Sequence, residues 1–263
     1  MLVLNDLGCC FNALRMSTTL QIALRIKAFL PLLACSFCVA FAQPLAQFSA
    51  ANSSIDPGQA TTLSWTSSGE RAFISGIGLV PPAGHVIVQP KETTRYFILV
   101  ERDQVLTSSE TTVEVEHVRA GTFAPDFSNF KPQLSRTVKS KDFLQFLNSI
   151  YTILLAHDYQ VRTELDKPAN FKTVTFYTEY AEDNDVLRTA TASGDESDRG
   201  IRHRQLAIYV RVHKPDSSDD PIIFDVAINV QHLRRSESEW VDDTDNKLRT
   251  DIVHMVANIL SKN

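Results

Sequence analysis

Hydrophobic and polar positions alternate with a period of two in a series of short runs between Thr61 and Val118. Thr61, Leu63 and Trp65 alternate with Thr62, Ser64 and Thr66, the pattern of a half-buried strand. A second run begins at Phe73 or Ile74 and is closed by Gly76 and Gly78. Val86-Ile87-Val88 is a third, bounded by Gly84 and Pro90, and Tyr96, Ile98 and Val100 alternate along a fourth. A fifth, Thr111 to Val118, sets Val113 and Val115 on one face and Glu114 and Glu116 on the other. Asp56-Pro57-Gly58 is a turn, because proline fixes φ and glycine accepts a positive one. Short strands divided by turn signals predict an all-β sandwich over residues 43–118.

The pattern changes after Val118. Residues 119–139 lose periodicity around Gly121, Pro125 and Pro132 and read as a linker. Its Phe123, Phe127 and Phe130 are expected to pack on a neighbouring domain. Ser140 then offers a helix cap, with Asp142 in the first turn. Phe143, Phe146, Leu147, Ile150 and Leu154 fall at helical spacing. Strands are expected at Tyr159 to Leu165, Phe171 to Tyr180, Gln205 to His213, and along Ile222, Phe224, Val226, Ile228 and Val230. The strict alternation in the last predicts antiparallel pairing, with one face covered and the other wet. A final helix is expected from near Asp242 to Thr244, with a stripe of Leu248, Ile252, Met255, Val256 and Ile259. Residues 140–263 therefore read as a two-layer α+β domain, helices on one face of an antiparallel sheet.

The order Pro57-Gly58-Gln59, Leu63-Ser64-Trp65, Gly76-Ile77-Gly78, Gln89-Pro90, Thr93-Thr94-Arg95-Tyr96 resembles a bacterial immunoglobulin-like domain. The resemblance covers under a third of the chain. It implies that Trp65 is the core residue of the second strand and Tyr96 a corner tyrosine. The inter-sheet disulfide of antibody domains is lacking, and Leu63 and Ile98 would occupy that contact. Such a fold hosts many activities, so function must come from sites.

The chain has 263 residues, enough for one or two domains. A net charge of −5 argues against nucleic acid as the main partner, since phosphate binding needs a basic face. All four cysteines, Cys9, Cys10, Cys35 and Cys38, precede residue 43. Met1 to Arg15 forms no recognisable element, and Met16 is a candidate initiator. From there Arg25 and Lys27 flank the apolar run Ala28 to Val39, and Ala40-Phe41-Ala42 supplies small residues for cleavage before Gln43. These are the parts of a secretory signal peptide over residues 1–42. Leu32-Leu33-Ala34-Cys35 resembles a bacterial lipobox, which makes acylation of Cys35 the alternative, with tethering to a membrane surface.

Candidate chemistry is sparse. None of the seven histidines has the His-x-x-x-His spacing of a zinc helix. No Gly-x-Ser-x-Gly elbow or glycine-rich phosphate loop is present. The acidic groups Asp195, Glu196 and Asp198, and Asp242, Asp243 and Asp245, lack the calcium-loop pattern. Neither a metal nor a cofactor is expected. Ala181 to Arg204 reads as one long irregular segment, and Asp195, Asp198, Arg199, Arg202 and Arg204 are its candidate partner-contacting residues. The expectation is an exported, periplasmic or cell-surface, non-enzymatic binding or assembly module whose partner is another envelope protein or a cell-wall component. The alternatives are a hydrolase acting on envelope polysaccharide or peptide, and a lipid-anchored outer-membrane assembly factor.

Overall fold

Alternating apolar residues build most of the elements, and strands greatly outnumber helices. The computed structural model describes residues 46–116, 131–140, 142–157, 159–167, 170–182, 185–191, 201–217, 219–234 and 238–262. The leader with Met16 and Cys35, and the linker residues Phe123, Phe127 and Phe130, lie outside the described residues. All described residues belong to the unit Gln43–Asn263.

The N-terminal half contains β1 (Ala46–Ala50), β2 (Ser54–Ile55), β3 (Thr61–Ser67), β4 (Arg71–Ile74), β5 (Gly78–Val80), β6 (Ala83–Val88), β7 (Thr94–Arg102) and β8 (Val105–Val115). One sheet has the order β1-β3-β6, the other β2-β8-β7-β4-β5, with β2 parallel to β8. Leu63 packs with Tyr96, Val113 and Val115, and Trp65 with Ala72, Ile74, Ile98 and Val100, so each sheet turns one apolar face toward the other. The Trp65 indole N–H donates to the Pro81 carbonyl at 2.9 Å. Gly84 pairs opposite Trp65, where a Cβ would stand 2.8 Å from the indole. The strands read around Tyr96 and Thr111 are longer than their alternation and form one continuous hairpin. It turns at Asp103 and Gln104, with φ of 50° and 67°. Two positive φ values are the two-residue turn that matches strand twist, here made without glycine.

The C-terminal half contains β9 (Leu134–Val138), α1 (Phe143–Ala156), β10 (Val161–Leu165), β11 (Thr173–Thr178), β12 (Ala181–Glu182), α2 (Asp185–Thr191), β13 (Ile201–His213), β14 (Ile222–Arg234), β15 (Val241–Asp242) and α3 (Asn246–Ser261). Its sheet has the order β10-β11-β13-β14-β15, with β12 beside β13 and β9 beside β14. Three local expectations are corrected. The end of the expected linker forms β9, which pairs with Ile222 to Val226. Asp142, not Ser140, caps α1: its carboxylate accepts from the Gln145 N–H at 2.9 Å, while Ser140 instead bonds to Asp142 main chain. Part of the segment expected to be irregular forms α2 and the start of β13; Val186 and Leu187 of α2 are buried, a pair too short to show a period.

Helix α1 explains how the halves join. Its buried residues run from Phe143 to Leu154 and share one core with the inward faces of β11, β13 and β14 and with α3. Phe73, Phe97 and Leu99, on the face of the five-stranded sheet turned away from the sandwich interior, belong to that same core. Phe73 meets Tyr151 edge-on at 6.4 Å and Phe176 at 6.3 Å. The Leu79 N–H donates to Asn148 Oδ1 at 3.0 Å. Gly78, at φ +100°, makes this approach feasible, since a Cβ would lie 2.8 Å from that oxygen. Arg71 pairs with Asp142 and, at 3.5 Å, with Glu101. The hydrogen bond that Arg71 donates to Asp142 chiefly holds the guanidinium pKa above its ordinary value, against the effect of burial.

Phe73→Ala removes a fully buried ring from the shared core and is expected to cost about 3–5 kcal/mol. Urea unfolding followed by Trp65 and Trp240, one in each half, should show both reporters shifting together. A shift of Trp65 alone would mean that the halves do not share their stability.

Candidate functional site

The face of the large sheet opposite the helices is less wet than its alternation predicts. Thr175, Gln205, Tyr209, Asp225 and Ala227 are buried there. Register places Arg162, Tyr177, Tyr209 and Ala227 in one row across β10, β11, β13 and β14. The rings of Tyr177 and Tyr209 stack at 6.3 Å and 23°, and the Arg211 guanidinium lies 5.9 Å from the Tyr209 centroid. The Tyr177 hydroxyl donates to Glu164. Burial first, and then this carboxylate, hold its pKa far above the usual phenol range. Tyr180, which accepts from Asn229 Nδ2 at 2.9 Å, is pushed up to about 12 by burial and by nearby Asp242. These phenols therefore stay protonated and serve as hydrogen-bonding groups rather than bases.

In the adjoining row Asp225 receives the Ser135 hydroxyl at 2.6 Å and stands 2.8 Å from His213 Nε2. Activation of a serine requires the imidazole between carboxylate and hydroxyl. Here the carboxylate stands between them, so the three do not form that relay, and the trio ties β9 to β14 and β13. No group of three or more His, Cys, Asp or Glu among the described residues is placed to hold a metal ion.

Among the described residues, one concavity lies where the halves meet. It encloses about 410 Å³, within the range of ligand sites. One wall carries Thr94, Arg95, Tyr96, Phe97, Glu110 and Thr112 of β7 and β8, with Ser75 and Gly76. The other is β10, Val161 to Leu165, with Tyr177 beyond it. An ion pair between Arg162 and Glu92 joins the two walls. The far end of β10 is held by Asp166, whose Oδ1 accepts from the Lys172 and Thr173 N–H groups at 2.8 and 3.1 Å. A second hollow of about 390 Å³, beside Asn246, Arg249 and His254, includes Gln133. The Gln133 amide is already committed to both main-chain groups of Ile228.

The sequence-predicted site residues are not brought together by the described structure. Asp195, Asp198, Arg199 and Cys35 lie outside the described residues, and Arg202 is placed only as a position in β13. The Arg204 side chain is 11% exposed, with its Nε 3.2 Å from Asp243 Oδ2. Asp243, 7% exposed in its side chain, also stands 3.6 Å from His232 Nδ1 and accepts from the Asp245 N–H at 2.9 Å. Asp245 in turn caps α3 through the Lys247 and Leu248 N–H groups. The acidic group at 242–245 thus ties the start of α3 to the sheet. Sequence reasoning placed a strand at β10 but gave no sign that it forms a cleft wall; only its alternating charges, Arg162 and Glu164, fit a sheet edge. No protein-family model and no curated protein matches the chain.

Two outcomes follow from these contacts. Asp243→Ala leaves the largely buried Arg204 without this partner and is expected to cost about 3 kcal/mol, read by denaturant unfolding; a cost below about 1 kcal/mol would assign the contact to the surface class. Burial pushes the Asp166 carboxyl up, but the Thr173, Lys172 and Lys167 N–H groups outweigh it and hold the pKa below its ordinary value. A lowered folded pKa contributes stability above the ordinary aspartate range, lost as pH falls through the folded value. Asp166→Asn should therefore be less stable than wild type at pH 7, with the gap closing in acid; a gap that does not change with pH would refute the assignment.

Proposed function

We propose that the chain is an exported, non-enzymatic binding or assembly module of the bacterial cell envelope. The β half is an immunoglobulin-like domain serving as platform, and the C-terminal half is an α+β domain that contacts another envelope protein or a cell-wall component. The observation that carries this reading is the cleft of about 410 Å³ built jointly by β7, β8 and β10. Neither half makes that concavity alone, which accounts for the shared core behind it. The order of strands in the two facing sheets, the buried Trp65 and the buried Tyr96 support the immunoglobulin-like assignment. Secretion rests on the leader pattern of residues 1–42. No helix among the described residues is long and apolar enough to cross a membrane.

A hydrolase of envelope polysaccharide or peptide is the second reading, because Glu110 and Glu164 line the same cleft from opposite walls. Glu164 is engaged by Tyr177, which favours binding over turnover.

The test is mild crosslinking in the host, followed by purification and intact mass. A mature chain starting at Gln43, crosslinked to an envelope component through residues of β7, β8 or β10, is the expected result. An acylated Cys35 would place the module on a membrane surface. Release of soluble fragments from cell-wall material, lost in Glu110→Gln, would replace the binding reading with the hydrolase. Absence of any captured component would overturn it.

A further inference from the structure

We propose that the open edge of β10 takes an extended peptide segment of a partner protein as an added strand; this rests on the binding-module reading above. The ladder fixes which main-chain groups of β10 point away from β11. The Glu179 N–H donates to the Gln160 carbonyl at 3.2 Å, and the Asp166 N–H to the Thr173 carbonyl at 3.3 Å. With the register Val161↔Thr178 to Leu165↔Val174, Arg162 and Glu164 therefore face β11 through their main chain. Alternate residues of an antiparallel strand point their N–H and C=O groups the other way. Val161, Thr163 and Leu165 thus aim theirs away from the sheet, and all three line the cleft. Among the described residues no strand pairs with β10 on that side.

Three further observations point to a peptide rather than a small solute. First, exposed sheet edges are ordinarily guarded by outward charges. Here both charges of β10 are drawn aside: Arg162 pairs with Glu92, and Glu164 accepts from Tyr177. Second, Thr163 is 6% exposed, and its hydroxyl has no hydrogen-bond partner among the described residues. An unpaired buried hydroxyl is costly, and an incoming strand's polar groups offer it a partner. Third, the opposite wall is spaced for an extended chain. Arg95 pairs with Thr112 and Phe97 with Glu110, so Arg95 and Glu110 are diagonal neighbours, about 7–8 Å apart. Side chains two positions apart on a strand repeat at about 6.6–6.8 Å. The segment that fits carries one acidic and one basic side chain at that spacing, with main-chain hydrogen bonds supplying the affinity.

The experiment uses the mature chain and a random peptide library. Selected peptides should raise hydrogen-exchange protection of the Val161, Thr163 and Leu165 amides. Each is then made in two forms, N-methylated at odd or at even positions. One form should lose about tenfold or more in affinity, since each methyl removes a donor worth up to about 1.4 kcal/mol, and the other should bind nearly as before. Leu165→Pro deletes an outward N–H while sparing the ladder to β11 and should weaken binding with little change in Tm. If that variant is unfolded, the methylated pair on the wild-type chain decides. No selected peptide, no protection at these amides, or equal binding by both methylated forms overturns the proposal. Crosslinks from the host that map away from β10 overturn it while leaving the binding-module reading intact. Capture of nothing overturns that reading itself.

Discussion

Helix α1 must bury more of its circumference than one sheet can cover. Its apolar residues extend from Phe143 through Tyr151 to Leu154, and the large sheet satisfies one side of that band. The remainder is met by Phe73, Phe97 and Leu99. Burial at about 25 cal/mol per Å² is the dominant favourable term available to such a helix, and it operates here from both sides. The polar contacts around it, Arg71 to Asp142 and Leu79 to Asn148, fix orientation rather than supply the driving force.

The same arrangement produces the cleft. A flat sheet face and the end of a second sheet are brought together by a helix lying between them, and they do not close on one another beyond it. The gap inherits what each side has to offer. One side contributes exposed side chains of a sheet face, Arg95, Glu110 and Thr112; the other contributes main chain from the margin of a sheet. Behind that margin Tyr177, its phenol kept protonated by burial and by Glu164, stacks on the ring of Tyr209.

Period-two alternation made the central strands of both halves legible, because burial on a single face is written directly into residue type. Leu206 to Val212 and Ile222 to Val230 are inward as read. Features that depend on tertiary partners were not. Phe97 and Leu99 lie between Tyr96, Ile98 and Val100, the alternating set read from the sequence, and their burial comes from the core shared with α1. In α3 the buried stripe includes Val253 and Leu260, with Met255 only partly buried, because two surfaces rather than one receive the helix. The turn at Asp103 and Gln104 carries no glycine, and β9 has too few apolar residues to stand out from its surroundings. The edge position of β10 is a property of strand order, and locally only the alternating Arg162 and Glu164 agree with it.

The apolar patch of Phe73, Phe97 and Leu99 also has a consequence in time. A polypeptide emerges from its N-terminus, so the facing sheets can assemble before residues 143–156 exist outside the ribosome. Until they do, three large side chains stand bare on a finished sheet. Such transient surfaces are where nascent chains associate wrongly or recruit chaperones. The order of elements along this chain therefore builds a vulnerable interval into its biogenesis, and the arrival of a single helix ends it.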